Sequence, residues 1–428
     1  MSSILKNRIN PLVSNTLSVT ILRGANTLTR VICLFIIARF LNPDIFGMIV
    51  FAMTVAEIAK VVADFGVDTL VIREFATTQN ESYRQRLAAT VAQTKIVCGL
   101  IAYAALLLFL ALTEPQEQLQ IGAVAGLLIF TGLWQNFSLN YFQARLQTNQ
   151  IIVPVVAINA VTIAVIALLF LIYPSILLTV AILPVAEAVS AAIVLGRFRR
   201  LVPIHIGGAP VAEIKTLLRR ALPIGGTIVI VTLYTRLDVI VLSSFADTAA
   251  VGFYGLAFRL TEPVLLVAAA FAMSVYSHIA ATLADDRQDT SRMILRYAAI
   301  TFGYGALCGL ALALIAPLVI QWLLPQYTPA ITILRILAIA LIFRTLNSCL
   351  TSTIQAYGHF SWITRLAVFN LFVISGLLWV LVPLWGAPGA ALSLLCGEML
   401  NTLIQLVLVK QTVARQRQIL SREEARSL

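Results

Sequence analysis

Charge is scarce in this chain: Lys, Arg, Asp and Glu together make up 11% of its 428 residues, and histidine occurs three times. A soluble surface of about 25–35% charged residues is therefore missing. The histidines His205, His278 and His359 are isolated from one another, which leaves no pair to build a metal centre or a base-activated nucleophile. Five cysteines, Cys33, Cys98, Cys308, Cys349 and Cys396, stand singly within apolar runs. Without metal-like spacing they read as packed thiols and carry no redox information. Long polar stretches are also absent. A membrane-bound glycan polymerase or glycosyltransferase needs catalytic side chains on a sizeable loop or domain, so the chain is expected not to be an enzyme. No cleavable signal peptide is evident, because residues 1–10 are polar with Lys6 and Arg8 and the apolar run that follows contains Arg23 and Arg30. That run is expected to stay as the first helix.

What remains is hydrocarbon. Apolar residues make up 60% of the chain and mean hydropathy is +0.94. Runs of about 20 apolar residues, each long enough to cross a bilayer as a helix, are expected at 14–40, 45–71, 88–112, 119–143, 151–173, 176–197, 221–245, 250–281, 295–320, 331–356, 362–383 and 386–410. Pro11, Pro43, Pro115, Pro174, Pro325 and Pro388 fall at or near the breaks, where residues that stop helices belong. The fold class is thus an all-α polytopic membrane protein of about twelve transmembrane helices.

Net charge is +11, which in a soluble protein would suggest nucleic acid. Here the basic residues gather in short breaks, above all Arg197, Arg199, Arg200, Lys215, Arg219 and Arg220, while other breaks hold Asp44, Glu114, Glu117 and Asp247. The positive-inside rule explains this pattern without a nucleic-acid partner and puts both termini in the cytoplasm. The break at 198–220 divides the chain into an N-terminal lobe, 1–197, and a C-terminal lobe, 221–410, followed by a basic cytoplasmic tail, 411–428. The halves echo each other. Arg30, Gly47 and Glu57 in the first are matched, at nearly the same spacing, by Arg236, Gly252 and Glu262 in the second. A parallel repeat of this kind is a transporter plan, with six helices per lobe and substrate near the midplane of a central cavity.

Several runs carry charge near their middles, where an unpaired ion costs at least about 2.5 kcal/mol. Arg23, Asn26 or Thr27, and Arg30 share one helical face, as do Glu57, Lys60, Asp64 and Asp68 on the second run. Asn136, Asn140, Gln143 and Gln147 form a stripe on the fourth run, and Arg344, Ser348, Thr351 and Gln355 on the tenth. Two readings stand for Glu57 with Lys60 and for Arg259 with Glu262: structural pairs on their own helices, or coupling and gating groups. Arg23, Arg30, Arg236 and Arg344 have no obvious acidic partner one turn away, although Asp238 is close to Arg236. These four are the candidates for a cationic substrate cavity, since guanidinium binds phosphate oxygens bidentately and stays charged. Asn136, Asn140 and Gln143 are the candidate glycan contacts. Trp134, Tyr141 and Tyr234 either stack on sugars or pack. Glu57, Asp64, Asp238, Arg259 and Glu262 are the candidate coupling or gating residues.

The segments that carry these residues resemble a known family. Residues 39–47, Arg-Phe-Leu-Asn-Pro-Asp-Ile-Phe-Gly, are similar to the loop between the first two helices of bacterial polysaccharide flippases, and residues 63–74 to the end of their second helix. Residues 234–238, Tyr-Thr-Arg-Leu-Asp, and 252–262 resemble the seventh and eighth. The superfamily implied includes multidrug extruders, oligosaccharide-lipid flippases and peptidoglycan-precursor flippases, which work by alternating access. The last usually carry fourteen spans, so the twelve expected here fit better a flippase for undecaprenyl-diphosphate-linked O-antigen, capsule or exopolysaccharide units. The resemblance implies a lipid-linked oligosaccharide substrate, membrane-lipid surroundings in the bacterial cytoplasmic membrane, a polysaccharide polymerase as partner, and no cofactor beyond a proton or sodium gradient. The alternative is a multidrug or metabolite cation antiporter of the same architecture.

Overall fold

A computed structural model describes residues 11–78, 80–172, 175–202, 210–284 and 290–427. The helices run in the order α1 (Pro11–Phe40), α2 (Pro43–Asp64), α3 (Val67–Thr77), α4 (Glu81–Thr113), α5 (Gln116–Ala144), α6 (Asn149–Ile172), α7 (Ile176–Leu201), α8 (Val211–Phe245), α9 (Thr248–Ala284), α10 (Thr290–Leu323), α11 (Ala330–Ala356) and α12 (Phe360–Ser427). A single 3-10 turn, Pro325–Tyr327, precedes α11. Among the described residues no strand occurs, and eleven helices are long and apolar enough to cross a membrane. One of the eleven is double. Gly386, at φ 59°, breaks α12 into arms 360–385 and 387–427, so the expected spans 362–383 and 386–410 are both present.

Local chemistry places the helix ends. Pro11 and Pro43 occupy first helical positions, where the missing N–H has no intrahelical partner to lose. Pro115 is the N-cap residue of α5, and Asn80 caps α4 by accepting a hydrogen bond from the Tyr83 amide at 3.2 Å. Pro174 lies outside the described residues. Prolines also sit inside helices, at Pro154, Pro184, Pro223, Pro263, Pro317 and Pro383, as membrane helices tolerate.

Two expected boundaries differ. The second run is expected to be one helix over 45–71, but α2 stops at Asp64, Phe65 and Gly66 take φ of 46° and 78°, and α3 begins at Val67. Glu57, Lys60, Asp64 and Asp68 therefore do not lie on one continuous helix. Hydropathy misses the stop because the residues on both sides are apolar enough to belong to one run. At the centre of the chain, residues 198–201 finish α7 and 211–220 open α8, so much of the expected linker is helix. Tail residues 411–427 continue the second arm of α12.

The chain forms two compact units: α1 through Arg236 without Asn42–Asp44, and Asn42–Asp44 with Leu237 onward. In the first, α1 packs on α6, α4 on α5, and α5 and α6 on α7. Its core is aromatic. Phe75, Phe137, Tyr141, Phe142 and Phe198 are all buried there, with Tyr141 4.7 Å from Phe198 and 5.4 Å from Phe75 between ring centroids. Tyr141 is thus a packing residue and is not open to a sugar. The first part of α8 is seated on the α2–α3 break: a Cβ on Gly225 would lie 2.0 Å from the Phe65 carbonyl oxygen, and one on Gly66 2.6 Å from the Gly225 nitrogen. In the second unit α11 packs against α9, α10 and α12. Gly305 and Gly309 let α10 approach closely, since Cβ atoms there would lie 2.1 Å from Thr345 Oγ1 and 2.5 Å from the Ala338 carbonyl oxygen.

Candidate functional site: charged clusters within each helical unit

The first unit gathers charge from four helices. Arg236 of α8 places Nη2 3.1 Å from Glu57 Oε2 of α2. Arg30 of α1 stands 4.0 Å from Glu57 Oε1 and 3.9 Å from Glu187 Oε1 of α7. Glu187 Oε2 accepts a hydrogen bond from Thr131 at 2.9 Å, which fixes the carboxylate from α5. Two guanidinium and two carboxylate groups thus compensate one another, as charges inside membrane helices must. Arg236 is in direct contact, whereas Arg30, a third exposed, sits at the outer limit of ion pairing. A looser, more accessible guanidinium is the better placed to exchange a protein carboxylate for a ligand phosphate.

The same unit holds a second, tighter group. Lys95 of α4, only 1% exposed, places Nζ 2.7 Å from Asp64 Oδ1 and 2.8 Å from Asp68 Oδ1. The two carboxylates come from opposite sides of the Phe65–Gly66 break, and the Asp68 amide donates to Asp64 Oδ2 at 3.4 Å.

The second unit has its own cluster. Arg344 Nε of α11 lies 3.7 Å from Glu398 Oε1 of α12, and its guanidinium carbon lies 5.3 Å from the centre of the Phe258 ring, within cation–π range. Glu398, 6% exposed, accepts a 2.7 Å hydrogen bond from Asn347 Nδ2, and Thr402 donates to Asn347 Oδ1 at 2.7 Å. Thr351 donates to Gln405 Oε1 at 3.2 Å and Gln405 donates to Asn401 Oδ1 at 3.0 Å. The polar stripe expected on this stretch therefore faces a matching stripe on α12.

The sequence-derived candidates separate under this geometry. Arg30, Arg236 and Glu57 come together. Arg23, exposed on α1, forms no ion pair among the described residues. Glu57 turns to the two arginines, while Arg259 and Glu262 pair with each other at 2.7 Å. Asp238 is buried and accepts a hydrogen bond from the Tyr254 hydroxyl; Asp64 is held by Lys95. The glycan stripe divides: Asn136 is exposed, Gln143 is half-buried, and Asn140 is buried with its Nδ2 lacking a hydrogen-bond partner. The Gln143 region also serves architecture, since Asn15 of α1 donates to the Gln143 carbonyl at 3.3 Å and accepts from the Thr148 amide at 3.1 Å.

Three charged residues of the clusters, Lys95, Glu187 and Glu398, are not among the sequence-derived candidates. For Glu398 a signal was present, because Glu398, Asn401, Thr402 and Gln405 follow the helical i, i+3, i+4, i+7 spacing. Lys95 and Glu187 have no charged residue within one turn on either side. Only the facing helices reveal their partners.

Comparison with known proteins bears on the fold. The fold is similar to that of a multidrug-resistance MATE family transporter of the MOP superfamily in an inward-facing conformation, with a TM-score of 0.72, 13% identity, and coverage of 94% of this chain and 99% of that one. The lipid II flippase MurJ in an inward closed conformation gives a TM-score of 0.75 at 13% identity, with 92% and 89% covered. A MOP superfamily transporter from Pyrococcus furiosus, described as having a binding pocket of reversed polarity, gives 0.64 at 14% identity over 96% and 97%. At such identities the likeness is one of fold. No match is found among curated proteins. Residues 12–282, which include Arg23, Arg30, Glu57, Lys95, Glu187 and Arg236, match the family described as polysaccharide biosynthesis protein, and by that match over more than half its length the chain belongs to the polysaccharide biosynthesis protein family.

Proposed function

We propose that the protein is a flippase. It moves an undecaprenyl-diphosphate-linked oligosaccharide repeat unit from the inner to the outer leaflet of the bacterial cytoplasmic membrane by alternating access, for O-antigen, capsule or exopolysaccharide assembly. The observation that carries this reading is the Arg30–Glu57–Arg236 group with Glu187, set among membrane-crossing helices of a polysaccharide biosynthesis family member. A diphosphate entering a low-dielectric region needs neutralisation at each step. Guanidinium groups already balanced by carboxylates supply it by exchange, so the resting protein does not bear uncompensated buried charge. Exposed Asn136 offers an amide to hydroxyl-rich sugar. A second reading, a multidrug or metabolite cation antiporter, draws on the same carboxylates, since Glu57, Glu187 and Glu398 balance the arginines.

Transbilayer movement of undecaprenyl-diphosphate oligosaccharides in proteoliposomes tests the assignment. Wild type is expected to move the glycolipid, and correctly inserted Arg30→Ala and Arg236→Ala variants to lose most of that movement. If wild type moves a panel of such lipids no faster than protein-free vesicles but exchanges a small organic cation for protons, the antiporter reading replaces this one.

A further inference from the structure

The Lys95 group is charged in a way that ion pairing alone does not explain. Asp64, Asp68 and Lys95 bring two carboxylates, each 17% exposed, to one ammonium that is 1% exposed, so the fully ionised trio keeps an uncompensated negative charge at a largely buried site. Such a charge is expensive, and taking up one proton removes it. The two carboxylates are not equivalent. Asp64 accepts a 2.7 Å hydrogen bond from Lys95 and another from the Asp68 amide in the first turn of α3, where the helix dipole also favours its charge. Asp68 Oδ1 is buried and, although 2.8 Å from Lys95 Nζ, has no hydrogen-bond partner of adequate geometry. The charged and titratable groups that act on this site are Asp64 from α2, Asp68 from α3, and Lys95 and Cys98 from α4. α8 contributes Gly225, which is pressed against the Phe65–Gly66 break.

We propose that Asp64, Asp68 and Lys95 form a proton-binding site, with Asp68 as the group that gains and releases the proton, and that its occupancy controls how α8 seats on the α2–α3 break. The proton comes from and returns to water. With Asp68 ionised, Lys95 draws α3 toward α4; with Asp68 neutral, that attraction falls to a single ion pair with Asp64. Because Gly225 has no room to move toward Phe65, a small rotation of α3 must displace α8, and Arg236 lies further along the same helix. Burial pushes the Asp68 carboxyl up to about 6, with Lys95 opposing and Asp64 adding to the rise, which places the exchange near physiological pH. The site stands independently of which lipid the protein moves.

Infrared difference spectroscopy of the full chain in lipid nanodiscs, titrated from acid to neutral pH, reads the proton directly. Wild type should show a protonated-carboxyl band that disappears near pH 6, and Asp68→Asn should lack it. Lys95→Gln removes the opposing cation and should move the same transition upward by about 1–3 units. Should Asp68→Asn fail to fold, that shift alone decides. Amide hydrogen exchange across 221–236 should depend on pH through the same range in wild type and lose that dependence in Asp68→Asn. A band retained in Asp68→Asn, or unmoved in Lys95→Gln, overturns the proton site. Exchange in α8 that is indifferent to both pH and the substitution overturns its control of α8.

Discussion

At the scale of single residues, the decisive feature is that Arg30, Glu57, Lys95, Glu187, Arg236, Arg344 and Glu398 find their partners on other helices. Glu57 serves Arg236 directly and Arg30 more loosely. Glu57→Gln keeps the shape but removes the shared charge, and should cost about 1–3 kcal/mol after allowance for partial exposure. Thermal unfolding of purified protein measures this, and a double-mutant cycle with Arg236→Gln should show strong coupling. Asp68 gives a prediction in pH. Its carboxyl is raised in the folded protein, to about 6, chiefly by burial. Its contribution to stability is therefore fully present below the ordinary aspartate range and is lost as pH rises through about 6. Asp68→Asn should flatten unfolding temperature against pH across that window. Here the sequence is least legible. Spacing on one helix identifies Arg30, Glu57 and Arg236 as polar among grease, but pairing is decided across helices. That is why Arg259–Glu262, a local i, i+3 pair, was foreseeable and the pairings of Lys95 and Glu187 were not.

At the scale of helices, glycines separate close approach from mere permissiveness. Gly225 and Gly226 are neighbours on α8, yet a Cβ on Gly225 would strike the backbone of Phe65 while one on Gly226 would meet nothing within 4 Å. Gly225→Ala should accordingly destabilise by about 1–3 kcal/mol through overpacking. Gly226→Ala should be neutral or stabilise by up to about 1 kcal/mol, because alanine is the better helix former. Unfolding temperatures of the two variants, measured side by side, test the seating of α8 on the α2–α3 break. Most helices were legible, since an apolar run and a terminal proline each report a local property. The Gly386 break was legible too, because Pro388 lies beside it. The Phe65–Gly66 break carried just one glycine inside a continuous run. What marks it is tertiary: Gly225 of α8 lies against it, a contact that the pattern of a single run does not report.

At the scale of the whole molecule, orientation in the membrane follows from charge that no single helix explains. Within the first unit, Arg220 of α8 pairs with Glu74 of α3, and Arg84 donates to the Thr78 carbonyl at 2.9 Å. These contacts bring the basic start of α4 to the same end as the basic start of α8. Placing that end in the cytoplasm satisfies the positive-inside rule, and the α4–α5 turn, with Glu114 and Glu117, then faces outward. Cysteine introduced at Glu117 of a protein whose own cysteines are replaced should react with an impermeant thiol reagent in intact cells. Cysteine at Lys215 should react only after the membrane is opened. The reverse pattern would invert the protein and, with it, the direction of transport. Orientation is thus what gives the arginine clusters their meaning. Under the proposed function, an anionic headgroup made in the cytoplasm would be collected at the basic end only if that end faces it, and the intramembrane pairs would then offer the next positions at which its charge is balanced.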